Sequence, residues 1–352
     1  MARASRRSNQ AITMKMVADR AGVSPMTVSN VINGRNKVQA TTRRAVLDAI
    51  QELGYQPNLA AQALASATPM RVGLLYHNVQ NAFVSALLVG ALSGATRMGA
   101  QLIIRPYDVL NMEAAGAELE ALVRSGANGV LLPPPLCELV DRSDIPERIR
   151  VPMIALSPGD ELRQLPSFRI DDFAAARDIT RHLLSMGHRR IGFIRAPATL
   201  LIRRTRFDGF CAALAEAGIS PDPDLVADGT LSFDSGLAAA SALLGQPDRP
   251  TAIVSSNDDL AAAVVSVAHR KGLHIPDDLS VVGFDDSPIA VKIWPALTTV
   301  RQPIVDIAEQ GISALIDHLR NTSQPEAPTA HYLPYTIIHR ESVSRPTTNL
   351  HP

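Results

Sequence analysis

The spacing of apolar positions predicts three short helices near the start of the chain. Met16, Val17 and Ala21 recur at helical intervals, Thr13 is placed to accept a bond from a free N–H of the first turn, and Gly22 ends the run. A second helix is predicted over 25–33. Ser24 caps it, Pro25 stands at the first position where a missing N–H costs nothing, and Gly34 stops it. Val28, Val31 and Ile32 share one face of this helix, and Met26, Ser29, Asn30 and Asn33 share the other. A third helix, over 42–53, has Ala45, Val46, Ile50 and Leu53 to cover a core. Two helices about a tight turn, with a polar face left outward on the second, form the helix-turn-helix arrangement that lays that face in the DNA major groove. A small structural bundle is the competing reading.

An Ala-rich run of about seven residues, 59–65, follows Pro57-Asn58. It is helix-prone but shorter than the roughly 12–15 residues an isolated helix needs, so it should form only when something else completes it. From residue 71 the pattern changes to short apolar runs alternating with helical stretches. Strands are predicted at 72–76, 101–104, 129–132, 151–156, 190–195, 252–255 and 280–284. Helices are predicted at 82–98, 112–125, 173–185, 205–217, 235–244, 258–271 and 304–319. Such a βαβα rhythm implies parallel sheets covered by helices, and two successive sets imply two similar lobes.

The composition changes this picture little. Hydrophobic residues are 46% and charged residues 19% of 352, which excludes a disordered or fibrous chain, and the length accommodates two or three domains. No apolar run approaches the ~18 residues of a membrane span, and the basic start lacks the apolar segment of a secretory signal, so a cytoplasmic protein without membrane association is expected. Cys137 and Cys211 lack metal-ligand spacing and read as small core thiols. The net charge of zero hides an asymmetry. Residues 1–58 carry nine Lys/Arg against three acids, so an excess of six positive charges sits at one end and is balanced by the remainder. A basic head on an acidic body suggests nucleic-acid contact confined to that head.

Three runs sharpen this reading: Val17-Ala18-Asp19-Arg20-Ala21-Gly22-Val23-Ser24, Thr27-Val28-Ser29-Asn30-Val31-Ile32-Asn33 and Leu53-Gly54-Tyr55-Gln56-Pro57-Asn58. In order and spacing they resemble the lactose/purine-repressor (LacI/GalR) family, and the resemblance extends over nearly all of 11–345. It implies an α/β chain with an all-α helix-turn-helix head over 11–58 and a hinge helix and linker over 59–69. A two-lobed, periplasmic-binding-protein-like body with parallel sheets, serving effector binding and dimerisation, would fill 70–345. The first lobe would take 70–168 and about 300–328, the second 169–297 and 330–345, with three passages of the chain between them.

By the same resemblance, Pro25, Met26 and Asn30 match base-reading positions. Asparagine can bond adenine bidentately, and the apolar pair can meet a thymine methyl. Ser24, Thr27, Ser29, Asn33, Tyr55 and Asn58 match phosphate-contacting positions, with capping or surface solvation as the alternative for Thr27 and Ser29. Leu64 matches the leucine that wedges into a minor-groove base step, a contact that kinks the duplex; packing on its own subunit is the alternative. In the body, Asp285 in the Gly283-Phe284-Asp285-Asp286 turn matches an effector-binding aspartate able to accept two sugar hydroxyls. Arg204 matches a position binding hydroxyls or anions, Asn257 opens a helix after a strand, and Phe83 could stack on a ligand. The competing readings are capping for Asp285 and Asn257, a solvated charge for Arg204 and core packing for Phe83.

Ser157 stands where the family often has Asp, Leu231 where it often has an aromatic ring, and Ala82 and Val84 replace a usual Pro and Phe. These departures leave the effector's identity open. Gly187-His188 reads as a helix end and turn, and Trp294 as packing where the chain returns between lobes. The sequence holds no G-x-G-x-x-G at a strand–helix junction, no P-loop, no HExxH and no nucleophile elbow, so no enzyme chemistry is expected.

The expectation is therefore a ligand-responsive regulator, a repressor of a sugar-utilisation operon. It would bind a pseudo-palindromic double-stranded operator as a homodimer and respond to a small-molecule effector without a cofactor or metal. The alternative is a sugar-binding protein of the exported type with no gene-regulatory role, which would share the body but not the basic head.

Overall fold

The computed structural model describes residues 12–32, 38–55, 70–77, 82–107, 111–321 and 328–347. Contacts divide the chain into two compact units, Met1–Pro69 and Met70–Pro352.

In the first unit, α1 (Met14–Ala21), α2 (Pro25–Ile32) and α3 (Ala40–Leu53) enclose a small core. Thr13 caps α1 by accepting from the Met16 N–H at 3.4 Å, and Gly22 closes it at φ 65°, a conformation that costs glycine little. Val17, Ala18, Val28, Val31, Val46, Ala49 and Tyr55 are buried together. Each helix contributes one narrow apolar stripe, so none of the three could bury its face alone.

Among the described residues, the second unit contains two six-stranded sheets of matching order. Sheet one runs β11-β5-β4-β3-β1-β2 and sheet two runs β12-β10-β9-β8-β6-β7. The strands of the first are β1 (Arg71–Tyr76), β2 (Gln101–Pro106), β3 (Gly129–Leu132), β4 (Met153–Leu156), β5 (Ser167–Arg169) and β11 (Ala330–Tyr332). Those of the second are β6 (Ile191–Arg195), β7 (Val226–Asp228), β8 (Ala252–Ser255), β9 (Ser280–Asp285), β10 (Thr298–Arg301) and β12 (Thr336–Ile338). Every pair is parallel except β10 with β12. Strands β3, β4 and β8 are buried along their whole length, which explains why they read as unbroken apolar runs rather than alternating ones.

The chain passes between the sheets after β5, after β10 and after β11. The expected two lobes and three crossings are present, with two corrections. Residues 330–332 pair with β5 in the first sheet instead of joining the second lobe, and β10 lies in the second sheet before the chain returns. The helix Ile304–Asn321 then packs on the helix Ala82–Arg97 in the first lobe. Their approach needs Gly90 and Gly94, where an added Cβ would lie 2.4 Å from the Val305 carbonyl oxygen and 2.3 Å from Ile312 Cγ2. Trp294 corrects another expectation. It is 75% exposed, its ring 6.1 Å from that of His269, and does not fill the crossover.

Candidate DNA-binding head and interlobe site

On α2 the residues divide as their chemistry demands. Val28 and Val31 point into the core, Ser24, Pro25 and Met26 are exposed, and Thr27, Ser29 and Asn30 are half-buried. The Ser24 hydroxyl caps the helix by accepting from the Thr27 N–H at 3.2 Å and lies 2.9 Å from the Thr27 hydroxyl. The exposed start of α2 therefore combines short hydroxyl side chains with an exposed methionine, a surface suited to phosphate and base edges. Tyr55, expected at a phosphate, has its ring in the head core. Asn33, Asn58 and Leu64, with the 59–69 hinge, lie outside the described residues.

The body's cleft follows from its topology. In a parallel sheet of this order, ligands bind outside the carboxyl ends of the strands, beside the point where the strand order reverses. Asp285 ends β9 and lies with Phe83, Ala86, Arg301, Gln302 and Ile304 around a recess of about 260 Å³ where the chain returns to the first lobe. Asp285 and Asp286 hold φ of 107° and 54°, a left-handed pair without glycine and a form of strain that concentrates at functional sites.

Beneath this recess lies a buried polar cluster. The Gln302 amide donates to Asp285 Oδ1 at 2.6 Å. Arg206, 5% exposed at its side chain, donates from Nε to Asp172 at 2.8 Å and from Nη1 to the Ser256 carbonyl, and approaches Asp285 at 3.9 Å. Its guanidinium carbon lies 3.5 Å from the centre of the Phe284 ring. Asp258 accepts from the Thr299 hydroxyl and the Ser287 N–H, each at 2.6 Å. Two carboxylates, Asp172 and Asp285, thus face one buried guanidinium, while Asp258 is held by a hydroxyl and a backbone N–H instead. Burial pushes the Asp285 carboxyl up to about 7; Arg206 opposes this and the Asp258 charge reinforces it. Burial likewise pushes Asp258 up to about 6 against the bonds from Thr299 and Ser287.

The remaining sequence candidates separate. Arg204 is 69% exposed and pairs with Asp160 of the first lobe at 2.8 Å, outside the buried cluster. Asn257 caps the helix Asp258–Arg270 through the Leu260 N–H and donates to the Leu231 carbonyl, both at 3.0 Å, so its polar atoms are already engaged. Leu231 packs partly buried against the second-lobe core at φ 61°. Ser157 is buried at the end of β4. Only Phe83 and Asp285 of the six line the same recess. Arg206, Asp172 and Gln302 were not singled out from sequence.

Away from the recess, Glu138 ties the lobes, accepting from the Gly159 N–H at 2.9 Å and from the Leu201 N–H at 3.0 Å. Gly187 ends the helix Asp172–Met186 at φ 105°, and the His188 ring bonds Thr251, Ser280 and the Ser344 carbonyl, with burial holding its pKa below the ordinary value.

Comparison with known proteins decides the lineage. Residues 13–58 match the model of bacterial regulatory proteins of the lacI family, and residues 180–343 match that of the periplasmic binding protein-like domain. The chain is 34% identical over 343 residues to the HTH-type transcriptional regulator GalR of Escherichia coli (strain K12), covering 95% of this chain and 96% of that one. It belongs to the lacI family of bacterial regulatory proteins. Among solved structures, a transcriptional regulator CelR–cellobiose complex is similar with TM-score 0.69 and 29% identity, over 94% of this chain and 99% of that one. A lac repressor dimer bound to operator and an anti-inducer is similar with TM-score 0.72 and 25% identity, over 95% and 100%. This family member is a DNA-binding transcription regulator rather than an enzyme. Among the described residues no helix is long and apolar enough to cross a membrane.

Proposed function

We propose that this regulator represses transcription in the cytoplasm by binding a pseudo-palindromic operator as a homodimer, and that a sugar in the interlobe cleft changes its operator affinity. The domain limits of the sequence reading, 11–58, 59–69 and 70–345, are retained. Pro25, Met26 and Asn30 read bases, Ser24, Thr27, Ser29, Asn33, Tyr55 and Asn58 set register on phosphates, and Leu64 wedges the central step. The observation that carries the ligand half of the proposal is the recess bearing Asp285. A nearly buried carboxylate held by Gln302 is suited to accepting ligand hydroxyls, and the similar CelR structure holds cellobiose. Phe83 stacks on the ligand, with Ser157, Leu231, Asn257 and Arg204 bordering the site and Gln302 holding Asp285. Exposed Val89 and Leu92 on the helix Ala82–Arg97, together with Val291 and Trp294, supply apolar surface for the partner subunit.

The mechanism is a population shift. Closure of the lobes around a ligand changes the spacing of the two hinge starts, so the hinge helices pair on DNA in one state and not the other. The test is fluorescence anisotropy of palindromic duplexes selected from a randomised library. Log K should fall linearly with log salt, and addition of a cognate sugar from a panel should shift the affinity at fixed salt. Failure to enrich any duplex at low ionic strength would refute operator binding. Enrichment with no response across the panel would refute the sugar effector.

A further inference from the structure

Arg169 ends β5 just before the chain crosses to the second lobe, and it is 3% exposed. Its Nε donates to the Ile170 carbonyl at 3.1 Å and its Nη2 to the Gly159 carbonyl at 3.2 Å. Nη1 is buried without a hydrogen-bond partner, and no carboxylate of the described residues lies within 4.0 Å of the guanidinium. The acids close to it along the chain are already engaged. Asp160 pairs with Arg204, Glu161 accepts from the Tyr332 hydroxyl at 2.8 Å, and Asp171 caps a helix through the Ala174 N–H at 2.9 Å. A cation out of water with two carbonyls and no counter-charge is unfavourable unless an anion completes it.

The neighbouring strand adds a second donor. Strands β4 and β5 place Leu156 opposite Phe168, and the Ser157 N–H donates to the Phe168 carbonyl at 2.7 Å, which sets Ser157 beside Arg169. Ser157 is 7% exposed, adopts φ 51°, and its hydroxyl is buried without a partner. The following turn presses on the second lobe, where an added Cβ at Gly159 would lie 2.2 Å from the Ile202 nitrogen. Two unpartnered buried donors, one of them charged, therefore sit at the carboxyl ends of adjacent parallel strands and at the junction of the lobes. The Tyr332 ring backs the guanidinium at 5.5 Å.

We propose that Arg169 and Ser157 form an oxyanion subsite at this junction, which takes a phosphate or carboxylate group of the effector. The charged donor supplies most of the binding in this water-poor setting, and the hydroxyl fixes the orientation of the oxyanion. The subsite deepens the proposed function and rests on its reading of the junction as a ligand site.

The test follows thermal unfolding of the full-length protein with inorganic phosphate as probe, in chloride buffer of matched ionic strength. Wild type should show a saturable rise in Tm of a few degrees at about 100 times the phosphate Kd. Arg169→Met should lose that rise, and without phosphate it should melt no lower than wild type, because an uncompensated charge is gone. Ser157→Ala should weaken phosphate binding about fivefold. No saturable rise in wild type, the same rise in Arg169→Met, or an unchanged Kd in Ser157→Ala each overturns the subsite. If Arg169→Met does not fold, Arg169→Lys and Ser157→Ala carry the test.

A second arm compares glucose, glucose 6-phosphate and gluconate. Tighter binding of one anionic sugar than of glucose, by about tenfold in wild type and lost in Arg169→Met, identifies which oxyanion the subsite takes. Equal binding of all three overturns the proposal. Operator binding in chloride buffer without phosphate or anionic sugars separates the two readings: a duplex bound and then released by a neutral sugar with no preference for anionic sugars removes the subsite and leaves the proposed function standing.

Discussion

Asp285→Asn replaces a carboxylate by a neutral group of nearly the same shape, which isolates the cost of one buried charge. The Asp285 side chain is 12% exposed, and its nearest cation, Arg206, is 3.9 Å away and committed to Asp172 at 2.8 Å. Burial raises this carboxyl from 3.8 to about 7, against the pull of Arg206 and the Gln302 bond and with the push of Asp258 and Asp172. The folded acid thus holds its proton more tightly than the unfolded one. The native state binds more protons between the two values, so stability falls as pH rises through that window. Each pH unit is worth about 1.4 kcal/mol, which makes the full cost at alkaline pH about 4 kcal/mol, with less than half of it already present at pH 5.

Asparagine does not titrate. The stability difference should therefore grow in favour of Asp285→Asn by about 2–3 kcal/mol between pH 5 and pH 8, while groups common to both proteins cancel. Because Asp258 titrates nearby, the midpoint of the change belongs to the pair. Urea unfolding of both proteins at four pH values measures it. A difference that stays flat, or that moves in favour of wild type, would refute the argument that Asp285 is a carboxylate buried without a counter-charge of its own.

Two further substitutions probe the other assignments. Arg206→Ala should cost about 3–5 kcal/mol by leaving Asp172 buried and unpaired, whereas Arg204→Ala, which breaks an exposed pair, should cost at most about 1 kcal/mol. Denaturant midpoints decide, and equal losses would contradict the burial contrast. Asn30→Ala should relax base selection at one position in each half-site by about 1–3 kcal/mol, and an unchanged consensus from a randomised operator library would remove Asn30 as a reader.

The sequence was most informative where local chemistry is strong. The caps at Thr13 and Ser24, the glycines at 22 and 187 and the apolar stripes placed the head helices and all seven long helices of the body to within a few residues. It was least informative for β5, β7, β10, β11 and β12. At three or four residues each, these strands are too short to display a period of two and are held in place by neighbours distant in sequence. That also explains the misplacement of 330–332: β11 pairs with β5, more than 160 residues earlier, a choice no local pattern expresses.

The exchange of Arg204 for Arg206 has a different cause. A helix predicted to begin at 205 leaves Arg204 in a loop aimed at the cleft, but the helix begins at Ile202 and the strand-to-helix turn ends earlier. Once the start is fixed, the helical repeat decides the matter. Arg206 lies four residues before Phe210 and seven before Ala213, both buried, so it belongs to the covered stripe, while Arg204 lies off it. An arginine on an apolar stripe is intelligible only if buried acids meet it, and Asp172 and Asp285 do so from the start of one helix and the end of a strand. The periodicity was present in the sequence, but the acids that give the arginine its meaning arrive only through the fold.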